Sequence, residues 1–406
     1  MSGSDLPCEY SHLAHANDLE PSMGHQHLLA NCPVHRETAF DPPFMVVSPY
    51  AEVLALLLAT DRFINGTGPG VFVQEGGVLG SADDPDHRRQ RTVLQDAFRP
   101  RAVAALAPRV DELARSMWTE AFAHDGEGDF VRLFAFPFPA QVIAELLGVP
   151  TDRRDDFGQW SDAIVQGLGG GDLSRVEWAN MQIYAMVDGL LDERLEQLEA
   201  GGAATQDVIG RLAEAHRRGV LRRSEVRRLC QQLLVAGHET TASLLGLMLY
   251  RLITQPHLVD ELRHHPDRWD GAVEEFLRFD APVQGLFRTA VNDENVGGVP
   301  VPAGTKVQLL FAAANRDPAV WADPDILRPD RHTVGSRPHL AFGWGVHHCI
   351  GAPLARREAR LTLELILTTF EHVELTGEVA VNEPFILRGL TTMPIRWRVR
   401  RSAPML

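Results

Sequence analysis

The residues of this chain best suited to chemistry lie in a glycine-rich stretch near its C-terminal end, residues 342–351, which read FGWGVHHCIG. Glycine tolerates tight turns and lets the backbone approach a flat ligand closely, and Cys349 lies just before Gly351. Pro353 suits the first turn of a following helix, and the N-terminal end of a helix favours negative charge. We therefore expect Cys349 to act as an exposed thiolate, either a nucleophile or a metal ligand.

An inert, buried cysteine is the usual interpretation of a single cysteine beside glycines, but the full pattern F-x-x-G-x-x-x-C-x-G is more specific. All its fixed positions are filled here, and the stretch resembles the haem-thiolate loop of the cytochrome P450 family. The resemblance implies that Cys349 is the ligand of the haem iron and that His347 meets a haem propionate. It also implies haem contacts from Phe342, Gly343 and Gly351.

A second group of chemically suited residues interrupts a long apolar helical pattern at 221–254. The centre of this pattern, 236–241, reads AGHETT, and glycine and adjacent threonines are poor helix formers. An H-E-x-x-H zinc-peptidase motif is excluded because position 242 is Ala242. A purely structural role, in which Thr240 bonds a carbonyl of its own helix, is the alternative for an isolated threonine.

The ordered set A-G-x-E-T-T resembles the oxygen-activation segment of the cytochrome P450 family. The resemblance implies that Thr240 supplies a hydroxyl beside O2, the co-substrate, and that Glu239 is its acidic partner, where many relatives carry aspartate. In these roles Thr240 holds a proton or a water against the oxygen, and Glu239 connects it to solvent as a general acid. Ala236 and Gly237 would then lie against the haem.

Basic residues elsewhere in the chain are further candidates for haem binding. His87 and Arg91 are four residues apart and so share one helical face, in a pattern D-x-P-x-H-x-x-x-R that starts at Asp83. A solvated basic helix start is the ordinary interpretation of such a cluster. The resemblance instead implies that His87, Arg91 and Arg288 bind the haem propionates, and a planar guanidinium suits carboxylates.

Glu275 and Arg278 have the spacing E-x-x-R, which alone carries little information because i,i+3 pairs are common on helices. Their position, between the long helix and the cysteine loop, resembles that of the structural Glu–Arg pair of the family. The resemblance implies a role in fold support, with Arg331 as the third member.

Mostly apolar segments are expected to surround the substrate, namely 66–81, 164–188, 233–236, 283–287 and 390–392. They predict a hydrophobic small molecule such as a fatty acid, terpenoid or steroid. The loop at 66–80 lacks the G-x-G-x-x-G pattern of dinucleotide sites and suits a mobile lid, and the glycine-rich break at 167–173 would allow hinge motion. The expected pocket residues are Leu233, Val283, Leu286, Phe287, Leu390 and Thr391.

Electrons must come from another protein, because the chain has no flavin or iron–sulfur signature. The resemblance implies an external ferredoxin that is reduced by an NAD(P)H-dependent ferredoxin reductase. Charge complementarity steers such encounters, so we expect an acidic ferredoxin to dock on arginines that flank the proximal haem face. These arginines are Arg88, Arg89, Arg99, Arg101, Arg356, Arg357 and Arg360.

Three other functions stay open: a haem-thiolate sensor without turnover, a peroxide-driven oxygenase, and a binding protein without haem. Glu239 and Thr240 argue against the first two, because neither needs a proton relay to bound oxygen. An absorption spectrum would exclude the third.

The elements that must position these residues are predominantly helical. The chain has 406 residues, of which 45% are hydrophobic, an ordinary globular composition. No linker or internal repeat is visible, so we predict one domain over 1–406 that begins with an extended lead-in at 1–40. The predicted fold is mainly α with smaller β-sheets (α+β), the cytochrome P450 fold, with haem between the long central helix and the cysteine loop.

The overall charge and the cysteines restrict partners and location. A net charge of −15 argues against nonspecific nucleic-acid binding. The four cysteines form no C-x-x-C motif and fit a reducing compartment. No signal peptide and no run of membrane-spanning length is visible. We therefore expect a cytoplasmic monomer without a membrane anchor or a nucleic-acid partner.

Overall fold

Helices dominate the fold. The computed structural model describes residues 10–12, 19, 23–73, 76–150, 154–168, 173–203, 205–332, 336–382 and 385–401. Within these residues the α-helices are α1 (Met23–Asn31), α2 (Tyr50–Leu58), α3 (Asp86–Phe98), α4 (Pro100–Phe122), α5 (Pro137–Leu147), α6 (Arg154–Leu168), α7 (Leu173–Glu199), α8 (Val208–Arg217), α9 (Arg223–Thr254), α10 (Pro256–His264), α11 (Trp269–Asp280), α12 (Phe311–Ala314) and α13 (Ala352–Thr369).

The strands are short and form small sheets. They are β1 (Val34–Glu37), β2 (Phe44–Val47), β3 (Phe63–Ile64), β4 (Gly126–Asp129), β5 (Leu286–Ala290), β6 (Glu294–Val296), β7 (Val299–Val301), β8 (Lys306–Leu309), β9 (Phe370–Leu375), β10 (Ala380–Val381), β11 (Leu390–Thr392) and β12 (Pro394–Val399). The largest sheet has the order β1-β2-β8-β5-β3, in which β2 and β8 run parallel and the other pairs antiparallel. This mainly helical architecture with small sheets is the predicted fold class.

The long central helix α9 organises the core. Its C-terminal half is apolar on every side, and residues 244–249 are all buried. A helix that is hydrophobic all round must be covered on all sides, and α5, α7, α13 and α6 pack against α9. The Gly-His-Glu-Thr-Thr interruption lies in the middle of this helix, where the covering is incomplete and a cavity begins.

Two elements bring the other functional segments to the same cavity. Helix α13 begins at Ala352, directly after the cysteine loop, with Pro353 in its first turn. Strand β5 pairs with β8 in a register that sets Arg288 opposite Val307 and Thr289 opposite Lys306. Because side chains alternate along a strand, Leu286 and Arg288 share one face of β5.

The N-terminal lead-in differs from the expectation of an extended segment. Met23–Asn31 forms α1, and Val34–Glu37 forms β1, which pairs with β2. Leu28 and Val34 are buried, so apolar contacts with the body of the protein order this segment. Cys230 and Cys349 are free, whereas Cys32 is disulfide-bonded, contrary to the expectation of reduced cysteines.

Among the described residues, none of the helices combines the length and the apolar character that crossing a lipid bilayer requires.

Candidate active site

A cavity lies between α9 and the cysteine loop. One wall is formed by α9, with Leu233, Ala236, Gly237 and Thr240. The opposite wall is formed by the cysteine loop and the start of α13. The loop contributes Phe342, Gly343, His347, Cys349 and Gly351. Two stretches far apart in the sequence therefore face each other across one space.

The conformation of the cysteine loop depends on glycine. Gly343 and Gly345 have φ angles of +63° and +73°, values that L side chains rarely adopt. The Cys349 N–H donates to the carbonyl oxygen of Phe342 at 2.9 Å, which closes the loop. A Cβ on Gly351 would lie 3.8 Å from the Cys349 sulfur, so the absence of a side chain leaves the sulfur surroundings open.

The Cys349 thiol faces the cavity. Protein surrounds the side chain, yet the thiol itself is exposed because the cavity opens on it. Burial raises the pKa of Cys349. The N–H groups of Gly351 and Ala352 and the charge of Arg91 lower this pKa, but by less than burial raises it. The protein surroundings therefore favour the neutral thiol over the expected thiolate. A coordinated metal cation would deprotonate the thiol.

Four basic side chains meet along one edge of the cavity: His87, Arg91, Arg288 and His347. The rings of His87 and His347 lie 4.1 Å apart, and Arg91 donates to the carbonyl oxygen of His348 at 2.8 Å. Arg288 is 4% exposed, and its guanidinium donates only to the carbonyl oxygen of its own neighbour, Phe287, among the described residues.

Among the described residues, only His87 of these four has an acid beside it, with its Nδ1 3.4 Å from a carboxyl oxygen of Asp84. Burial lowers the pKa of Arg288 to about 10 and that of His347 to about 3. His87 Nε2, Arg288 Nε and His347 Nδ1 are buried without a hydrogen-bond partner among the described residues. Buried polar groups are normally paired. Two carboxylates at this edge would satisfy them, and a flat metal macrocycle carrying such carboxylates, with its metal on Cys349, fits this set.

On the opposite wall, Thr240 lines the cavity and also bonds within its helix. Its hydroxyl donates to the carbonyl oxygen of Ala236 at 2.6 Å. This is the structural contact that the sequence left as the alternative, and it occurs together with a position on the cavity. Because the proton of the hydroxyl is committed to Ala236, the lone pairs of Thr240 are available as acceptors toward a ligand.

Glu239 lies beside this threonine but off the cavity lining. Its side chain is 13% exposed, and one carboxyl oxygen lies 4.0 Å from Nδ1 of His238. His238 is fully buried, and its Nε2 donates to the carbonyl oxygen of Phe136 at 2.8 Å. Burial lowers the pKa of His238 to about 4, so this imidazole is neutral near pH 7.

The structure divides the expected pocket residues into two groups. Leu233, Val283 and Leu286 line the cavity. Phe287 does not, because it points to the other face of β5 and packs against Phe44. Two expected pocket residues in β11 also lie elsewhere. Leu390 packs in the core beside Gly246, and Thr391 is exposed.

The lid and hinge expectations fall partly on 74–75 and 169–172, which lie outside the described residues.

Glu275 is the centre of a buried ion-pair network. Arg278 donates to both carboxyl oxygens of Glu275 at 2.8 Å, and Arg331 donates to one of them at 3.0 Å. His332, which the sequence did not single out, lies 3.1 Å from the other oxygen. Although burial opposes it, these partners, Arg278 first, lower the pKa of Glu275 to about 2.

A neighbouring network was missed from the sequence. Arg356 on α13 donates to both carboxyl oxygens of Glu274 at 2.6 and 2.8 Å, and His339 lies 3.1 Å away. It joins α11 to the helix that follows Cys349. Only the folded chain brings these residues together, because His339 and Arg356 lie more than sixty residues after Glu274 and no short motif contains the set.

The expected arginine cluster is largely neutralised. Besides the Arg356 pair, the arginines bond acids as Arg88–Asp84, Arg89–Glu225, Arg99–Asp96, Arg357–Asp111 and Arg360–Asp270. Next to the cysteine loop, Leu58 and Val346 are instead large apolar side chains, 57% and 51% exposed. A Cβ on Gly345 would lie 3.3 Å from Leu58, so Leu58 lies against the cysteine loop one residue before Val346.

The fold is helical, a thiol faces the cavity, and basic groups that could bind carboxylates lie at the edge of the cavity. This combination is typical of haem-thiolate enzymes. A family model, Cytochrome P450, matches residues 41–397. The chain therefore belongs to the cytochrome P450 family, and it is a monooxygenase of that family. Membership implies a haem-thiolate cofactor and the use of O2.

Individual relatives agree over nearly the whole length. Pentalenic acid synthase of Streptomyces avermitilis is 32% identical over 392 residues, which cover 93% of this chain and 94% of the relative. Mycinamicin IV hydroxylase/epoxidase of Micromonospora griseorubida is 34% identical over 375 residues, with 88% and 91% covered. The structure of cytochrome P450 CYP109Q5 from Chondromyces apiculatus superposes with a TM-score of 0.84 at 30% identity, with 97% and 99% covered.

Proposed function

We propose that this enzyme inserts one oxygen atom of O2 into a carbon–hydrogen bond of an apolar small molecule, with electrons from a ferredoxin and an NAD(P)H-dependent ferredoxin reductase. The observation that carries the proposal is that Cys349 and Thr240 line one cavity. Haem b bound between them would supply the iron that activates O2. The name of one relative, a hydroxylase/epoxidase, supports oxygen insertion.

The chain's own residues would hold the haem at its edge and from below. Cys349 would bind the iron through its sulfur. His87, Arg91, Arg288 and His347 would bind the propionates, which accounts for donors that otherwise stay buried and unpaired. On the α9 side, Ala236 and Gly237 line the cavity, and a Cβ on Gly237 would lie only 3.0 Å from Ile143, so a larger residue would crowd this wall.

Thr240 and Glu239 would deliver protons to the oxygen. The Thr240 hydroxyl is fixed by its bond to Ala236 and so presents its lone pairs to the cavity. It can therefore accept a hydrogen bond from a protonated oxygen atom or from a water that carries the proton inward. Glu239, which directly precedes Thr240 and is partly exposed, would exchange protons between solvent and the Thr240 hydroxyl.

The electron donor would dock beside the cysteine loop. The paired arginines leave less free charge there than the sequence suggested. The exposed pair Leu58 and Val346 offers an apolar centre instead, and interfaces commonly combine an apolar centre with a polar rim. A ferredoxin bound here would lie close to Cys349, three residues after Val346.

Turnover under ¹⁸O2 tests the proposal. The haem-loaded enzyme, a ferredoxin, its reductase and NADPH are incubated with a set of terpenoids, steroids and macrolactones, and products are analysed by mass spectrometry. The proposal expects a product that contains one ¹⁸O atom and forms only with the complete electron supply. Oxygen derived from water, or NADPH consumption without any oxygenated product across the whole set, would contradict it.

A further inference from the structure

Buried polar atoms without a hydrogen-bond partner are concentrated on the cavity. Among the described residues that line it, six side chains carry one: Asn65, His87, Gln232, Arg288, His347 and Glu358. The basic members have been assigned to the haem carboxylates. Glu358 lies on α13, and burial raises its pKa, which favours the neutral carboxyl. The carboxamide oxygens of Asn65 and Gln232 are different, because an amide oxygen only accepts hydrogen bonds. Ionised haem carboxylates have no proton to donate and so cannot satisfy them.

The orientation of Asn65 is fixed by its neighbours. Its side-chain nitrogen donates to the carbonyl oxygen of Gly80 at 2.9 Å, and its backbone N–H donates to Asp83 at 2.8 Å. Because the amide nitrogen must face the Gly80 carbonyl, the amide oxygen is the end left without a partner. The residue is only 3% exposed, so this oxygen cannot simply turn to bulk solvent.

A strained turn brings Gln232 to the same place. Leu79 has a φ of +45°, which is uncommon for a residue with a side chain. Its N–H donates to the side-chain oxygen of Gln90 at 2.7 Å, which holds the turn. The next residue, Gly80, approaches α9 so closely that a Cβ there would lie 3.1 Å from the side-chain nitrogen of Gln232. Both amides therefore lie against Gly80, one from the loop and one from α9.

The surroundings specify a neutral donor. Glu358, where burial disfavours a charge, is the only acid among the described residues that line the cavity, so the site offers little counter-charge to a substrate ammonium. A substrate carboxylate would meet two amide oxygens, and the lining cations are the groups assigned to the haem. Leu79, Leu233 and Leu286 make up the adjacent apolar surface. A hydroxyl group on an apolar frame fits this combination.

We propose that Asn65 and Gln232 line a subsite for a hydroxyl group of the substrate, which donates its single hydrogen bond to the amide oxygen of Gln232. The inference rests on the proposed oxygen insertion and narrows its substrate. Gln232 precedes Thr240 by eight residues on α9, which is roughly 12 Å along a helix axis. The substrate is then an alcohol on an extended terpenoid, steroid or macrolactone frame, oxidised at the end remote from its hydroxyl. A fatty acid, with its carboxylate, fits less well.

Matched probes test this subsite on the haem-loaded enzyme without electrons. Affinities are measured by spin-state shift and by calorimetry, and each alcohol is compared with an analogue that lacks the hydroxyl group. The pairs are 5α-androstan-3β-ol with 5α-androstane, cedrol with cedrane, and dodecan-1-ol with dodecanoic acid. A site built to bond a hydroxyl discriminates strongly against analogues that lack it, so we expect at least one alcohol to bind about tenfold or more tightly than its partner. Gln232→Leu should reduce that preference to nearly none.

Gln231→Leu is the matched control. Gln231 is the preceding residue on α9, but its amide bonds Tyr184 and Asn180 and does not line the cavity. This variant should keep the preference for the alcohol. The proposal would be overturned by any of three results: equal affinity within every pair, no binding of any alcohol, or a preference that survives Gln232→Leu. Each would show that the two amide oxygens bind water only. These binding measurements involve no turnover of O2. The subsite proposal can therefore be contradicted while ¹⁸O insertion is observed, and it can be supported while ¹⁸O insertion is not observed.

Discussion

The buried polar side chains below the cysteine loop and those around the cavity differ in one respect, the completeness of their hydrogen bonding. Below the loop, Glu274 and Glu275 are each bonded by an arginine and a histidine. Around the cavity, Arg288, Asn65 and Gln232 carry buried atoms without a partner among the described residues. The first set holds the chain together, and the second awaits ligands. Substitutions should therefore change stability in the first region and binding or chemistry in the second.

The largest effect is expected for Glu275→Ala. It leaves Arg278, which is fully buried, without its carboxylate, and breaking a buried pair in this way costs about 3–5 kcal/mol. Urea unfolding of the haem-loaded protein measures the loss. Glu214→Ala is the control, because Glu214 and Arg217 have the same spacing and two hydrogen bonds but lie on the surface. A similar unfolding midpoint for both variants would mean that burial does not decide the effect.

The same network predicts the response to acid. The pKa values of Glu274 and Glu275 are lowered to about 2, below their ordinary value of 4.5. Groups with lowered values contribute stability that is present above pH 4.5 and is lost as the pH falls toward 2. The free energy of unfolding should therefore decrease steadily over this window. In Glu275→Gln the decrease should be shallower, and an unchanged slope would contradict the assignment.

Arg288→Leu should affect haem retention more than folding. It removes a buried guanidinium that has no described acid partner, so the fold loses no ion pair. The haem would lose a charge-assisted bond, and we expect haem transfer to excess apomyoglobin to accelerate about tenfold or more. Arg62→Leu is the control, because Arg62 is an exposed arginine just before β3 that pairs with Glu294. Unchanged transfer in Arg288→Leu would separate this arginine from the cofactor.

Thr240→Ala should leave folding and haem binding intact and divert reducing equivalents to hydrogen peroxide. Proton positioning of this type contributes factors of about 10²–10⁴, so product formed per NADPH consumed should fall by about tenfold or more. Thr240→Ser, which keeps the hydroxyl, should restore most of the coupling. If coupling is unchanged in Thr240→Ala, the hydroxyl serves only its bond to Ala236.

The family, the fold and the Glu275–Arg278 ion pair could be predicted from local spacing in the sequence. The Cys349 loop and the Glu275–Arg278 pair are each set by a few consecutive residues, and the family match supports the fold that they implied, while the haem-binding role of Cys349 stays a prediction. The direction of side chains was not predicted correctly everywhere. Phe287 was expected in the pocket, although its neighbours Leu286 and Arg288, both cavity-lining, require it to face the other side of β5.

Contacts between residues that are far apart in the chain also could not be predicted from the sequence. Arg356 was expected on an open docking surface, but it is committed to Glu274, which lies on another helix. The side-chain amides of Asn65 and Gln232 come close to Gly80 from two sides because the fold brings the loop that contains Gly80 against α9. Nothing in the composition of either segment indicates that contact, since asparagine and glutamine are ordinary surface residues.

The central claim, that Cys349 holds haem iron as a thiolate, is tested most directly by the absorption spectrum of the reduced, haem-loaded protein under carbon monoxide. The account predicts a strongly red-shifted Soret band that is lost in Cys349→Ser. A band at the position typical of a neutral thiol or histidine ligand would mean that the thiol stays protonated or that another residue binds the iron. The absence of any haem band after haem is supplied would contradict the account as a whole.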